Sequence, residues 1–141
     1  MDNVPSETPK SDLPVSTEMV KCLMEVGYVA IGRGLQSQAT NIFQGIIAAR
    51  PSSELPLIGL AICKLNFGYI VDAAKILAEQ ALRLNPDSGL AKCFLAISIR
   101  ALGREREACD LMRHVCDDTN NNDPVAKAMA ESFLSGKDVL P

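Results

Sequence analysis

Hydrophobic residues recur every three to four positions through most of the chain, in runs broken by short Gly-, Pro- or Asn-bearing stretches. That is the period of helices with a buried stripe. Ser16 or Thr17 caps a first helix, with Glu18 in its first turn, that runs to about Gly32. A second helix fits 36–49 and stops before Pro51. A third fits 54–67, with Pro56 tolerable in its first turn. A fourth fits 70–84 and ends before Asn85-Pro86. A fifth fits 88–102, capped by Asp87 or Ser88 and terminated by Gly103. A sixth fits 105–117, and the run from Asp117 to Asn122 is a loop. Asp123 caps a last helix, with Pro124 at its first position, that reaches about Ser135 before Gly136. Residues 1–15 hold Pro5, Pro9, Ser11 and Pro14 and read as a disordered tail, 16–136 as one helical domain, and 137–141 as a short C-terminal tail.

The helices repeat. Gly34, Gly68 and Gly103 stand 34 and 35 residues apart, each between two helices where a left-handed turn wants no Cβ. Seven residues before each comes a small residue, Gly27, Ala61 or Ala96, and alanines follow at Ala39, at Ala73 or Ala74, and at Ala108. Phe43 falls at the twenty-fourth position of its unit, and Pro51 and Pro86 close the first two units. This is the tetratricopeptide period, in which small residues let the two helices of a hairpin touch. The expected architecture is all-α: three tetratricopeptide-like helical hairpins plus a C-terminal capping helix, as antiparallel pairs in a short right-handed superhelix. The second unit carries one extra residue between Gly68 and Pro86, which leaves the register of its second helix open.

Two apolar stripes run along the first helix of each unit. The core stripe is Leu23, Val26, Gly27 and Ala30, then Leu57, Leu60 and Ala61. The inner-face positions are Lys21, Met24, Tyr28 and Ile31, then Leu55, Ile58, Ile62 and Leu65, then Leu90, Cys93, Ile97 and Arg100. Without the terminal Lys21 and Arg100, those ten residues form a candidate partner-binding groove. Helices apolar on more than one face leave a surface that a small domain cannot easily cover. Leu, Ile and Met suit an amphipathic helix laid in a groove. Lys21 and Arg100, at opposite ends, make a poor clamp for an acidic peptide end. The last helix has its own stripe, Val125, Met129, Phe133 and Leu134, which either caps the third hairpin or folds back into the groove.

Composition narrows the function classes. The 141 residues carry 14 basic and 17 acidic side chains, a net charge of −3, so no basic stripe is available for nucleic acid or an anionic membrane. Uninterrupted apolar stretches fall well short of roughly 20 residues, so no membrane span is expected. The start, Met-Asp-Asn-Val-Pro-Ser-Glu, lacks the basic and apolar regions of a signal peptide. Cys22, Cys63, Cys93, Cys109 and Cys116 are odd in number with no CxxC, and read as small buried hydrophobes in a reducing compartment. His114, the single histidine, lies near a helix end beside Arg113 and reads as a structural or surface residue. Cys109 is flanked by Glu107 and Asp110, which disfavours a thiolate. Gly32-Arg33-Gly34 is too short for a phosphate loop. No catalytic, cofactor or metal site is expected, and neither is a small-molecule substrate.

The chain resembles the small tetratricopeptide-like chaperones that hold the needle subunit of bacterial type III secretion systems. The likeness rests on the first hairpin segment Val26-Gly27-Tyr28-Val29-Ala30-Ile31-Gly32, on three compact hairpins, and on Asn122-Asp123-Pro124 followed by a helix through Phe133. It spans about residues 18–135. The 15-residue N-terminal tail and well-formed later repeats depart from the shorter members, in the direction of the related translocator chaperones. The resemblance implies a cytoplasmic chaperone that cradles the C-terminal amphipathic helix of the needle subunit, blocks premature polymerisation, and is joined by a second small helical co-chaperone. Carried onto this chain, the cradle would use Met24, Tyr28, Ile31, Ile58, Ile62, Leu65, Cys93 and Ile97.

Two other readings stand beside it. One is a general tetratricopeptide scaffold that binds an extended peptide mainly through polar contacts. The other is a compact protein whose groove is filled by its own last helix. If an apolar groove holds a partner, Ile62→Asp or Ile97→Asp abolishes its capture in a pull-down while circular dichroism keeps most of the helical signal; unchanged capture in both variants counts against the groove.

Overall fold

A computed structural model describes residues 14–120 and 122–136; residues 1–13 of the expected 1–15 tail, and the expected tail at 137–141, lie outside the described residues. Among the described residues there are seven helical rods and no strand. They are α1 (Thr17–Gly32), α2 (Gln36–Ala49), α3 (Leu55–Asn66), α4, α5 (Gly89–Ala101), α6 (Glu105–Asp117) and α7 (Pro124–Leu134). The rod α4 is α-helical over Ile70–Lys75, π-helical over Ile76–Ala81 and α-helical again over Leu82–Leu84.

Local chemistry sets the starts and stops. Ser16 Oγ accepts from Met19 N–H at 3.1 Å, and Ser88 Oγ accepts from Ala91 N–H at 3.1 Å. Asp123 Oδ1 accepts from Val125 N–H at 2.9 Å and from Ala126 N–H at 3.4 Å. These caps satisfy helix N–H groups that lack an intrahelical partner. At the other ends, Gly34, Gly68 and Gly103 take φ of 76°, 90° and 88°, the left-handed conformation that the repeat spacing predicts.

The extra residue of the second unit has a structural outcome. Instead of lengthening a loop, it is absorbed inside α4 as the π-helical segment. A π-bulge widens one turn by a residue and restores register beyond it. Ile76, Leu77 and Ala81 remain buried on the core side, and Glu79 and Gln80 lie outward. They border a cleft of about 670 Å³ on the outer side between α2 and α4, floored by Ile47, Pro51 and Leu57.

Each helix packs on its neighbours in sequence, and the first helices of successive units also pack side by side: α1 on α3, α3 on α5, α5 on α7. The last helix therefore occupies the place of a fourth unit's first helix. Ala126, Ala130 and Phe133 are buried against the third hairpin, so α7 caps the stack and does not fill the groove. Two core clusters result. One centres on Phe43, Ile46, Leu57 and Leu77; the other joins Cys93, Ala96, Met112 and Val115 to α7.

Phe43 carries the contact between the first two units. Its ring is fully buried and fills a slot between α1 and α3 whose walls are Gly27 and Gly59. A Cβ on Gly27 would stand 2.7 Å from Phe43 Cζ, and one on Gly59 would overlap Phe43 Cε1. The edge of the Phe43 ring also meets Tyr28, with centroids 5.2 Å apart and planes at 62°, a favourable aromatic geometry.

The expected core needs one correction. Gly27, Ala30, Leu57, Leu60 and Ala61 are buried, but Leu23 and Val26 are 37% and 47% exposed. In a repeat stack these positions pack on the preceding unit, and α1 has none among the described residues. Of the five cysteines read as buried hydrophobes, Cys63 and Cys93 are buried, Cys109 and Cys116 are only partly buried, and Cys22 is exposed. On α6 the charged face pairs along the helix, Arg113 with Asp110 at 2.8 Å and Arg104 with Glu107 at 3.6 Å.

The slot predicts a contrast between two glycines. Gly59→Ala forces the Phe43 ring aside and lowers stability by about 1–3 kcal/mol. A Cβ on Gly45 of α2 meets nothing within 4 Å, so Gly45→Ala raises stability by roughly 0.5–1 kcal/mol through backbone entropy. Urea unfolding of both variants reads the difference, and equal effects would show that the slot does not constrain the fold.

Candidate functional site

The expected groove residues lie on α1, α3 and α5, which pack side by side. Met24 of α1 and Leu55 of α3 line an open pocket of about 430 Å³ with Val20, Lys21 and Pro56. Leu55 is 50% exposed, large for a leucine with no polar role. Tyr28, one turn along α1 from Met24, is partly exposed, and burial of the rest of its ring pushes the phenol pKa up. Ile62, Leu65, Leu90 and Ile97 are half-buried along the same inner helices. These seven are the expected groove residues that keep exposed surface.

The other three expected groove residues belong to the core. Ile31 and Ile58 are 7% and 1% exposed, and Cys93 is fully buried. The cause is the close packing of inner helices, which draws Ile58 and Cys93 into the seams between neighbours. Cys93 Sγ–H donates to the Ala126 carbonyl of α7 at 3.3 Å. Burial first, then Cys116 and Asp123, pushes its thiol up to about 12. Cys93 is therefore protonated and inert across the physiological range.

Val125 is an inner-face residue that the groove assignment left out. It is 60% exposed on α7, in the position equivalent to Leu55 and Leu90. The signal was present, because Leu55, Leu90 and Val125 are each 35 residues apart. Reading Val125 as part of the capping stripe hid it; Ala126, Ala130 and Phe133 do the capping.

The electrostatics of this face are as informative as its apolarity. The cations of α1, α3 and α5 are Lys21, Lys64, Lys92 and Arg100, and three of them are engaged within the chain. Lys64 lies over the Tyr69 ring at 5.3 Å, and the Arg100 guanidinium lies over the Phe133 ring at 4.3 Å. Lys92 is 8% exposed; its ammonium donates to Asp118 at 3.4 Å and to His114 Nε2 at 3.2 Å. His114 thus ties α6 to α5, in line with a structural role. The Asn120 N–H and then Lys92 hold the Asp118 carboxyl below its usual range. Between the starts of α3 and α5 a cavity of about 330 Å³ is bordered by Glu54, Asp87 and Asp123. An acidic ligand would meet repulsion there and no cluster of cations.

Cys109 donates its thiol to Glu105 at 3.5 Å and is pushed up by partial desolvation and that carboxylate. Among the described residues no group of three His, Cys, Asp or Glu side chains is placed to hold a metal ion. No described helix is long and apolar enough to cross a membrane.

Comparison with solved structures matches this arrangement to helical-hairpin proteins. The type III secretion translocator chaperone SycD of Yersinia enterocolitica superposes with a TM-score of 0.71 at 17% identity, over 87% of this chain and 94% of that one. The fold is tetratricopeptide-like. PcrH of Pseudomonas aeruginosa, in complex with the chaperone binding region of PopD, gives 0.68 at 16% identity, over 88% and 94%. The first tetratricopeptide domain of Spaghetti (RPAP3), bound to the HSP90 peptide SRMEEVD, gives 0.66 at 19% identity, over 86% and 92%. No protein-family model matches the sequence. No curated protein matches it either.

The burial pattern predicts the order of thiol reactivity. In the native protein an aromatic disulfide reagent modifies Cys22 within the mixing and labelling time, while Cys63 and Cys93 react only as fast as the chain unfolds. Modification of Cys93 at the rate of Cys22 would mean that α7 does not cover the third hairpin.

Proposed function

We propose that the protein is a cytoplasmic, non-enzymatic chaperone of a type III secretion export substrate of the translocator class, and that it holds an apolar segment of that substrate on its inner face. The observation that carries this reading is the exposure that Met24, Tyr28, Leu55, Ile62, Leu65, Leu90 and Ile97 keep on side-by-side inner helices, with Lys64, Lys92 and Arg100 engaged elsewhere. Such a face binds by displacing water from apolar surface, not by charge. An export substrate with membrane-active or self-associating segments needs that cover until it leaves the cell.

The similar folds are the second support. SycD is a translocator chaperone, and PcrH binds the chaperone binding region of PopD. They favour a translocator over the needle subunit that the sequence resemblance implies, since neither of these two structures involves a needle subunit. The second small co-chaperone belongs to the needle reading and is replaced in the present one. The acidic peptide held by the Spaghetti domain represents the scaffold reading. Here the engaged cations and the acidic cavity disfavour such a ligand.

A pull-down at low and at 0.5 M salt tests the proposal, with the peptide SRMEEVD as a parallel probe. Wild-type protein retains its captured substrate at both salt concentrations. Leu55→Asp, at a half-exposed position that the fold does not need, loses capture at least tenfold with unchanged circular dichroism. SRMEEVD shows no saturable binding. Tight SRMEEVD binding that weakens steeply with salt would instead establish the scaffold reading.

A further inference from the structure

The second unit leaves a groove on the outer side of the stack. The cleft between α2 and α4 continues into a second cavity of about 510 Å³, which shares Gln44, Ile47, Leu57 and Gln80 with it. The floor of this groove is apolar, with Ile47 of α2, Leu57 and Leu60 of α3, and Ile76 of α4. Its two walls differ. The α2 wall is uncharged, since α2 contains no Asp, Glu, Lys or Arg, and Gln44 and Ala48 stand exposed along it. The α4 wall carries Asp72, Lys75, Glu79 and Arg83, a line of alternating sign in which every member is exposed.

These four charges have no ionic partner among the described residues. On a regular α-helix, Lys75 with Glu79 and Glu79 with Arg83 would pair at i,i+4. The π-helical segment Ile76–Ala81 interrupts that register, because its hydrogen bonds run between residues five apart and turn the fourth side chain out of line. The same widened turn leaves Ala78, Glu79 and Gln80 exposed in succession. The extra residue of the second unit thus sets a wall of unpaired, alternating charge beside an apolar floor. Lys64, also at the border, is engaged over Tyr69.

We infer that this groove seats an amphipathic helix of a different protein. The apolar stripe of that helix lies on Ile47, Leu57 and Leu60, and acidic and basic side chains alternate along the flank that faces α4. Asp72 and Arg83 are 11 residues apart, roughly 15 Å along the rod, which about three turns of a partner helix match. Side chains four residues apart on such a helix are about 6 Å apart, close to the spacing of the α4 line. A segment of one charge sign would meet as many like charges as opposite ones. A concave groove cannot fill itself across a two-fold axis, so a second copy would enter only head-to-tail, a contact that builds open chains. The groove lies away from Leu55 and Leu90, so it does not depend on the chaperone reading.

Fluorescence anisotropy of two labelled synthetic helices, titrated with the full chain, tests this. Both carry leucines along one stripe. One has Glu and Lys alternating at four-residue spacing on a flank, and the control has Gln at those positions. The alternating helix saturates with a dissociation constant below about 100 μM. It binds about tenfold more tightly than the control at low salt, and the gap narrows at 0.5 M salt. Ala48→Arg, which fills the groove from an exposed position, abolishes saturable binding with its helical signal intact; Gln44→Arg does the same should Ala48→Arg fail to fold. Glu79→Gln combined with Arg83→Gln brings the two helices to within about threefold of each other. Leu55→Asp binds the alternating helix like the wild type; loss of binding there would place the helix on the inner face and overturn the inference. Equal affinity of the wild type for both helices, or binding that Ala48→Arg and Gln44→Arg leave unchanged, also overturns it. Displacement of the bound helix by excess Ala48→Arg protein would assign the groove to a second copy and overturn it as well.

Discussion

The Phe43 ring fixes how the first two units meet. It is fully buried between α1 and α3, and it fits only because Gly27 and Gly59 supply no side chain where its edge lies. Close-packed interiors tolerate little change in volume at such a point. The ring therefore sets the distance between two inner helices, and that distance defines the pocket at Met24 and Leu55. Tyr28, which meets the same ring edge-on, is held at the border of core and open face by this contact. Packing and the exposed inner face are thus two sides of one arrangement.

The same economy shapes the charges. A chain with four cations on its first three inner helices looks, by composition, able to hold an anionic ligand. The structure engages three of them within the chain, over Tyr69, over Phe133, and in the Lys92, His114 and Asp118 cluster. The apolar residues on the inner face pack against the core on one side and keep part of their surface exposed on the other, because α7 takes the capping position. A surface of this kind has most to gain from an apolar partner.

The sequence was informative where the physics is local. Cap residues Ser16, Ser88 and Asp123, the turn glycines and the helix period all placed elements within a residue or two of their observed bounds. The repeat spacing yielded the tetratricopeptide-like fold. The misplaced residues depend on neighbours that a periodicity does not report. Ile58 and Cys93 sit at inner positions that side-by-side helices close over, and Leu23 and Val26 sit at core positions with no preceding unit among the described residues. The extra residue after Gly68 was visible as an irregularity, but whether a loop or a helix would take it up depended on packing around Leu77 and Ala81. Val125 could have been found from its spacing to Leu90. Gly59 carried no signal until Phe43 was seen beside it.

The central claim is that the inner face binds by burying apolar surface. Titration calorimetry of the intact protein with its captured substrate segment, repeated at several temperatures and two salt concentrations, measures this directly. The account predicts a clearly negative heat-capacity change and an affinity that moves less than threefold between 0.1 and 0.5 M salt. A heat-capacity change near zero, together with an affinity that falls more than tenfold over that salt range, would contradict it.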